Sequence, residues 1–386
     1  MSENIKNSEI ETDTEIEYDK GNNGLAQNSP SVVDLFAGAG GLSHGFQQAG
    51  FDIVGGSDIE EKFKKTYEKN HDAPYLTADI TEIGSKELMD HFGVEKGELD
   101  ILIGGPPCQG FSLAKANRDP GDSRNQLVSE YIRKVYEIQP HWFLMENVKG
   151  LANMEDGKVL QYALDMFRDE LGYEADYRVL NSSHYGVPQT RERVIIIGNK
   201  EGKEIPFPEQ EYGEKKAQKS LDSINQEKDL KEARNIKDAF GDLPSLNPGE
   251  EKTEYKTNPQ CEYQKKMREK SSGLKNHNAP NHGDKVVDRI SRAEPGEKIP
   301  YDSWTQKRRL SWNEPAGTLL AGPRPTYHFG HPDDPRGLSI RERARVQSFP
   351  DHFEFHGPVA KQRQQTGNAV PPMMAKAIAE ELKDVM

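Results

Sequence analysis

The chain is poor in cysteine: its 386 residues hold two, Cys108 and Cys261, far apart in sequence. Two such thiols make neither a disulfide framework nor a zinc set, and they suit a reducing compartment. Long apolar runs are also missing. None approaches the ~20 residues of a membrane span. The acidic, polar N-terminus has neither the basic nor the apolar segment of a secretory signal. A cytoplasmic protein with no membrane partner is therefore expected. An excess of positive charge is missing too: 51 lysines and arginines face 64 aspartates and glutamates, a net of −13. That balance argues at first sight against a nucleic-acid partner, because phosphate binding draws on lysine and arginine. The charge is unevenly spread, however. Acids crowd the first thirty residues, and basic clusters lie elsewhere: Lys265, Lys266 and Arg268; Lys307, Arg308 and Arg309; Arg336, Arg341, Arg343 and Arg345. Each cluster reads either as a solvated face or as part of a local basic groove.

The length suits two domains, or one large domain with an insertion. Residues 1–29 are polar and short of large apolar side chains, which predicts a disordered tail. A strand-helix alternation then begins. Strands are predicted at Ser31–Phe36, Phe51–Ser57, Leu99–Ile103, Trp142–Met145 and Val194–Gly198, and helices at Leu42–Ala49, Glu60–Lys69 and about Gln126–Ile138. This rhythm means an α/β fold with a doubly wound, mostly parallel sheet. It fails after Lys200, where charged, Asn- and Pro-rich sequence predicts an irregular second domain or long insertion. Regularity returns near Leu338. Ser339 followed by Glu342 is a capping-box pattern, and Pro371-Pro372 precedes a helix over Met373–Leu382.

Four segments carry chemistry. In Gly104-Gly105-Pro106-Pro107-Cys108-Gln109-Gly110-Phe111-Ser112 the cysteine lies at or just past the carboxyl end of a strand, where open α/β sheets place ligands. The two prolines stop the strand and stiffen the loop, which suits a nucleophile that must meet one atom in one geometry. The alternative is a buried, inert thiol. The loop Asp34–Gly41 follows a strand and opens a helix, and its glycines allow close backbone approach to a ligand. Asp58 ends the next strand, where an acid can bind ribose hydroxyls. Ser43 replaces the last glycine of the dinucleotide fingerprint, which favours a nucleoside cofactor without a pyrophosphate. Glu146, in Met145-Glu146-Asn147-Val148, is a strand-end acid, read as catalytic or as a turn acid. In Gln189-Thr190-Arg191-Glu192-Arg193 the two arginines point to one side of an extended segment. They suit phosphate, carboxylate or base-edge contacts, or a surface salt-bridge ladder.

In this order these segments, with Arg341–Pro350 and Gly367–Pro371, resemble the cytosine carbon-5 methyltransferases that act on DNA. The resemblance covers residues 31–200 and 310–382. It implies a Rossmann-like S-adenosylmethionine-dependent methyltransferase fold with a smaller irregular target-recognition domain. The division it suggests is a tail at 1–29, a catalytic and cofactor domain at 30–200, target recognition at 201–335, and a C-terminal part at 336–386 whose last helix returns to the catalytic domain. By resemblance Cys108 is the nucleophile toward carbon 6 of a flipped-out cytosine, and Glu146 holds or protonates ring nitrogen 3. Arg193 contacts the base oxygen and fixes Glu146, while Arg191 serves the same loop or a phosphate. The cofactor, S-adenosylmethionine, leaving as S-adenosylhomocysteine, would meet Asp34, Phe36, Gly38, Gly40 and Gly41 on the first loop. It would also meet Asp58, Ile59, Asp79 and Ile80, with Pro107, Leu127, Asn368 and Ala369 further on. Ile59 stands where some members carry an aromatic. Gln109, Ser112, Arg124 and Thr318 match positions facing DNA. The implied partner is double-stranded DNA, met as a monomer, with a restriction endonuclease acting separately on the same sequence. Three alternatives remain open. A tRNA-cytosine methyltransferase shares the catalytic motifs, but its Cys-Phe-Thr signature is replaced here by Cys261-Glu262-Tyr263. An inactive DNA-binding relative would have lost residues that this chain keeps. A nicotinamide-dependent dehydrogenase fits the glycine loop and leaves the Pro-Pro-Cys-Gln loop unexplained.

Overall fold

The computed structural model describes residues 29–107, 126–213, 230–300, 307–322 and 328–386. Seven strands build one sheet: β1 (Ser31–Leu35), β2 (Asp52–Asp58), β3 (Tyr75–Thr77), β4 (Ile101–Gly104), β5 (Trp142–Val148), β6 (Glu174–Asn181) and β7 (Glu192–Asn199). The helices among them are α1 (Gly41–Gln48), α2 (Lys64–His71), α3 (Ser85–Phe92), α4 (Gln126–Ile138), α5 (Gly150–Asn153) and α6 (Lys158–Asp165). The strand order is β3-β2-β1-β4-β5-β7-β6. Strands β1 to β5 pair in parallel, and β7 runs antiparallel to both β5 and β6. The expected doubly wound, mostly parallel sheet is present.

The apolar runs are continuous because both faces of the sheet are covered. Val32, Ile101, Ile103, Trp142, Leu144, Ile195 and Ile197 join one core with α1, α2 and the last helix. Their neighbours Val33, Leu102, Phe143, Met145, Val194 and Ile196 join a second core with α3, α4 and α6. Alternation within each run therefore sorts side chains between two cores rather than between core and solvent.

Beyond β7 the elements are short: β8 (Tyr212–Gly213), β9 (Lys231–Glu232), α7 (Ile236–Phe240), α8 (Glu262–Arg268), α9 (Asp284–Ser291), β10 (Arg308–Arg309) and β11 (Phe329–Gly330). Three helices follow, α10 (Ile340–Val346), α11 (Val359–Asn368) and α12 (Pro372–Val385). The predicted capping box is present in full, with Ser339 and Glu342 each accepting the other's backbone N–H. Helix α12 packs on α1, and Met374, Ala375, Ile378, Ala379 and Leu382 enter the first core. No helix among the described residues is long and apolar enough to cross a membrane.

One expectation fails. The arginines at 336, 341, 343 and 345 form neither a solvated face nor a basic groove, for all four are buried, as are Lys307 and Arg309 of the preceding cluster. The reason lies in the irregular backbone around them, whose carbonyls have few ladder partners. A guanidinium has five donors in a fixed fork and can satisfy several such carbonyls at once. Arg341 donates to the carbonyls of Lys275, Pro350 and Phe353. Arg345 pairs with Asp351 at 2.6 Å and reaches the Ala239 carbonyl and Asp242. Arg336 grips Glu342 with two donors, both at 2.8 Å. These arginines are the cross-braces of the irregular half. In the third cluster, Arg268 is likewise held by Asp242, while Lys265 is exposed.

Candidate active site

A cleft of about 920 Å³ lies at the carboxyl ends of β1, β2, β4 and β5. This is where the strand order reverses about β1, the place at which such sheets bind ligands. Strand β7 reaches it for a different reason. Because it is antiparallel to β5, its amino end lies beside the carboxyl end of β5, with Arg193 opposite Val148. The single reversed strand thus delivers the Gln-x-Arg-x-Arg segment to the same edge as the parallel strand ends.

Glu146 and Arg193 meet in the cleft, with Arg193 Nε 2.7 Å from Glu146 Oε1 and each side chain 11% exposed. The pair is shielded yet reachable, and the second carboxylate oxygen faces Gly105, where a Cβ would lie 3.0 Å from it. Glycine at 105 leaves that oxygen open to a ligand. Asn147 Nδ2 donates to the Pro106 carbonyl at 2.8 Å. The end of β5 therefore holds the Pro-Pro segment two residues before Cys108. Cys108, Gln109, Ser112 and Arg124 themselves lie outside the described residues.

Arg191 is buried and braces the cleft wall. Its guanidinium donates to the carbonyls of Leu319, Gly367 and Asn368 at 3.2, 2.9 and 3.2 Å. Burial first, and then neighbouring Arg193, lower its pKa to about 9, so it stays charged at neutral pH. Thr318 lines the cleft and donates to the Thr190 carbonyl at 3.0 Å.

At the other end, the first glycine loop is shaped by three left-handed residues, Phe36 (φ 59°), Gly38 (φ 57°) and Gly40 (φ 83°). Gly38 N–H donates to Asp58 Oδ2 at 3.0 Å, and Glu60 N–H to Asp58 Oδ1 at 3.0 Å. Asp58 thus ties the loop to β2, and burial raises its pKa. Asp34 is fully buried and accepts from Ser43 Oγ at 2.5 Å. With no cation paired to it, burial pushes its carboxyl up to about 7. Serine at the last fingerprint position is explained by this bond. Asp79 accepts both donors of Thr81. Phe36, Gly38, Gly41, Ile59, Asp79, Ile80, Pro107, Leu127, Asn368 and Ala369 line the cleft with Asp34 and Asp58; Gly40 stands behind the loop, packed on His71. Ile59 is 67% exposed there, an apolar surface left bare beside a carboxylate.

The composition of the cleft discriminates between cofactors. Its described lining holds Asp34, Asp58, Glu60, Asp79 and Glu146 against two arginines at the Glu146 end, with Lys361 standing behind the lining and paired to Glu60. Along the glycine loop a pyrophosphate would meet Asp34 and Asp58, with no cation among the described lining residues there. A nucleoside carrying a positive sulfonium and an amine fits that field. Sequence assigns no role to Asn147, which holds Pro106, or to Gln189, which accepts the Leu319 N–H at 2.7 Å. Each sits inside a quoted motif, and an amide flanking an unpaired strand-end backbone was the available signal.

A family profile described as C-5 cytosine-specific DNA methylase matches residues 31–384. The type II methyltransferase M.AgeI of Thalassovita gelatinovora is 35% identical over 429 residues, spanning 91% of this chain and 99% of its own. The type II methyltransferase M1.HphI of Haemophilus parahaemolyticus is 35% identical over 364 residues, spanning 91% and 86%. Among solved structures, an E. coli prophage chain described as a DNA modification methyltransferase superposes with a TM-score of 0.73 at 28% identity, covering 92% of this chain and 99% of that one.

Proposed function

The chain belongs to the C-5 cytosine-specific DNA methylases of restriction-modification type, and from that premise we propose a mechanism in which Cys108 forms a covalent bond to a flipped-out cytosine held by Glu146 and Arg193. The observation that carries it is the Glu146–Arg193 pair, shielded at one end of the cleft and braced next to the loop that leads to Cys108.

Carbon 5 of cytosine is a poor nucleophile. Addition of the Cys108 thiolate to carbon 6 makes it electron-rich. Glu146 donates to ring nitrogen 3 and so takes up the charge pushed into the ring. Arg193 holds Glu146 and faces the base oxygen. Phe36, Asp58 and Ile80 would hold S-adenosylmethionine, whose sulfonium would supply the methyl group for carbon 5. A water molecule acting as base would take the carbon-5 proton, the carbon-6–sulfur bond would break to release the Cys108 thiolate, and nitrogen 3 would return its proton to Glu146. The glycine-loop end of the cleft, where the described lining holds Asp34, Asp58 and Asp79 and no lysine, supports this cofactor. The target carbon is out of reach inside a duplex, so the base must leave the stack.

Residues 30–200 would carry cofactor and catalysis, and 201–335 would read the duplex, with 336–386 closing the cleft through Asn368 and Ala369. Thr318, with Gln109, Ser112 and Arg124, would face the DNA. The product would be protected from a separately acting endonuclease of the same specificity.

The test is incubation with tritium-labelled cofactor and unmethylated genomic DNA, followed by bisulfite sequencing. Label on cytosine in one short recurring motif is expected, together with its loss in Cys108→Ser while cofactor binding survives. Wild-type turnover in that variant would sink the mechanism. Label in tRNA alone would move the substrate to RNA.

A further inference from the structure

Two glutamines outside the reaction scheme join the walls of the cleft. Gln189 precedes β7, Gln347 follows α10, and both are fully buried. Gln189 Oε1 accepts the Leu319 N–H at 2.7 Å, and Gln189 Nε2 donates to Gln347 Oε1 at 2.6 Å. Gln347 Nε2 in turn donates to the Thr366 and Ala369 carbonyls at 2.5 and 3.3 Å. A backbone N–H only donates and a carbonyl only accepts. The two ends therefore fix the direction of the whole chain. Turning over Gln189 sets donor against donor at Leu319, and turning over Gln347 sets acceptor against acceptor at Thr366.

The segments so joined, 318–321 and 367–370, both line the cleft. They are also in close contact, since a Cβ at Gly367 would lie 2.5 Å from the Ala321 backbone. Leu319 is gripped twice, at its N–H by Gln189 and at its carbonyl by Arg191. A buried polar chain of this kind is firm when every member is satisfied and gives way when one is not.

We propose that Gln189 and Gln347 are positioning residues for methyl transfer, a one-way amide relay that sets the DNA-side wall at Thr318–Leu319 against the cofactor-side wall at Thr366–Ala369. This rests on the reading above, in which Thr318 faces DNA and Asn368 and Ala369 face the cofactor. Neither glutamine touches a reacting atom.

Glutamate at either position makes the relay depend on a proton. At 189, a protonated carboxyl reproduces the pattern, its carbonyl oxygen accepting from Leu319 and its hydroxyl donating to Gln347. Ionised, it opposes acceptor to acceptor. At 347, one oxygen accepts from Gln189 and the other must carry the proton toward Thr366, its single hydrogen keeping the shorter of the two bonds and giving up the 3.3 Å contact to Ala369. Burial raises such a carboxyl, while Arg191 on the Leu319 carbonyl and Arg343 on the Thr366 hydroxyl favour its ionised form; at a fully buried site desolvation is the larger effect. The experiment measures kcat and KM for DNA in full-length Gln189→Glu and Gln347→Glu, each relative to wild type, from pH 6 to pH 8.5. Both ratios of kcat/KM should lie within about threefold of wild type at pH 6 and fall about tenfold or more by pH 8.5, the size expected for one opposed buried polar contact. Gln189→Met, with no proton to lose, should be impaired equally at every pH. A pH-independent ratio for the glutamate variants overturns the relay. So does failure to fold at pH 6, where the carboxyl keeps the shape of the amide. An inactive wild type would instead overturn the methyltransferase mechanism beneath it.

Discussion

Carboxylates are buried in two regions of this molecule, and they are treated in opposite ways. Around α10, Glu342 is gripped by Arg336 and Asp351 by Arg345, with Arg341 nearby. Those guanidinium groups hold Glu342 and Asp351 below the usual carboxylate range. In the cleft, Asp34 and Asp58 are taken from water with hydrogen bonds but no arginine, and burial raises both. Glu146 lies between the two cases, with one arginine and one open oxygen. The difference teaches where binding capacity is kept. A carboxylate whose lone pairs are all committed braces the fold, and one buried with capacity left over can serve a ligand.

The comparison breaks most visibly at Glu146. Glu146→Gln keeps the shape and removes the acid, so single-turnover methylation should fall about 10²–10⁴-fold. The unfolding midpoint should fall by less than in Asp351→Asn, because the amide oxygen still accepts from Arg193 Nε and the partly exposed pair keeps contact with water. An unchanged rate would remove Glu146 from the chemistry.

Asp351→Asn inverts that pattern. The variant leaves Arg341 buried without its counter-charge and Arg345 with Asp242 alone at 3.3 Å, a loss of about 3–5 kcal/mol. Urea denaturation should show it as a lower midpoint. The rate of the folded fraction at low temperature should remain within a few fold of wild type. Loss of rate without loss of stability would place Asp351 among the reacting groups instead.

The two regions also differ in how well they could be read. β1, β2, β4, β5 and β7 were legible because a strand buried on both faces must be an apolar run. β6 was not: it is an edge strand, Tyr177 and Val179 are exposed, and its sequence Glu-Ala-Asp-Tyr-Arg-Val-Leu-Asn carries no clean alternation. α11 escaped for a similar reason, since Gln365 and Thr366 are buried through hydrogen bonds rather than apolar contact. In α10 the misreading was of environment. Its cap was legible, but three arginines in seven residues look like a solvated face, and only the carbonyls and acids brought from distant segments make them core. In the cleft, Glu146, Arg191 and Arg193 could be found because strand ends are where acids and cations converge. The partners of Arg191 are backbone carbonyls, which leave no mark in a sequence, so its bracing role was hidden.

A last comparison separates the two regions by the sign of a pH slope. Asp34 holds its proton up to about pH 7 in the folded protein, whereas an unfolded aspartate releases it near 3.8. Across that window the folded chain binds the extra proton, so this group makes stability fall as pH rises. The α10 carboxylates act the other way. Their lowered values add stability that is present above the ordinary carboxylate range and lost only as pH falls through the depressed values. Asp34→Asn still accepts the Ser43 hydroxyl and has no proton to lose. Urea midpoints of the ligand-free protein between pH 4.5 and 7.5 should therefore decline with pH more steeply in wild type than in the variant, with the gap closing to a constant above pH 7. Parallel curves would show that Asp34 is ionised when folded, and that the cleft floor holds its charge in the same way as the arginine-braced half.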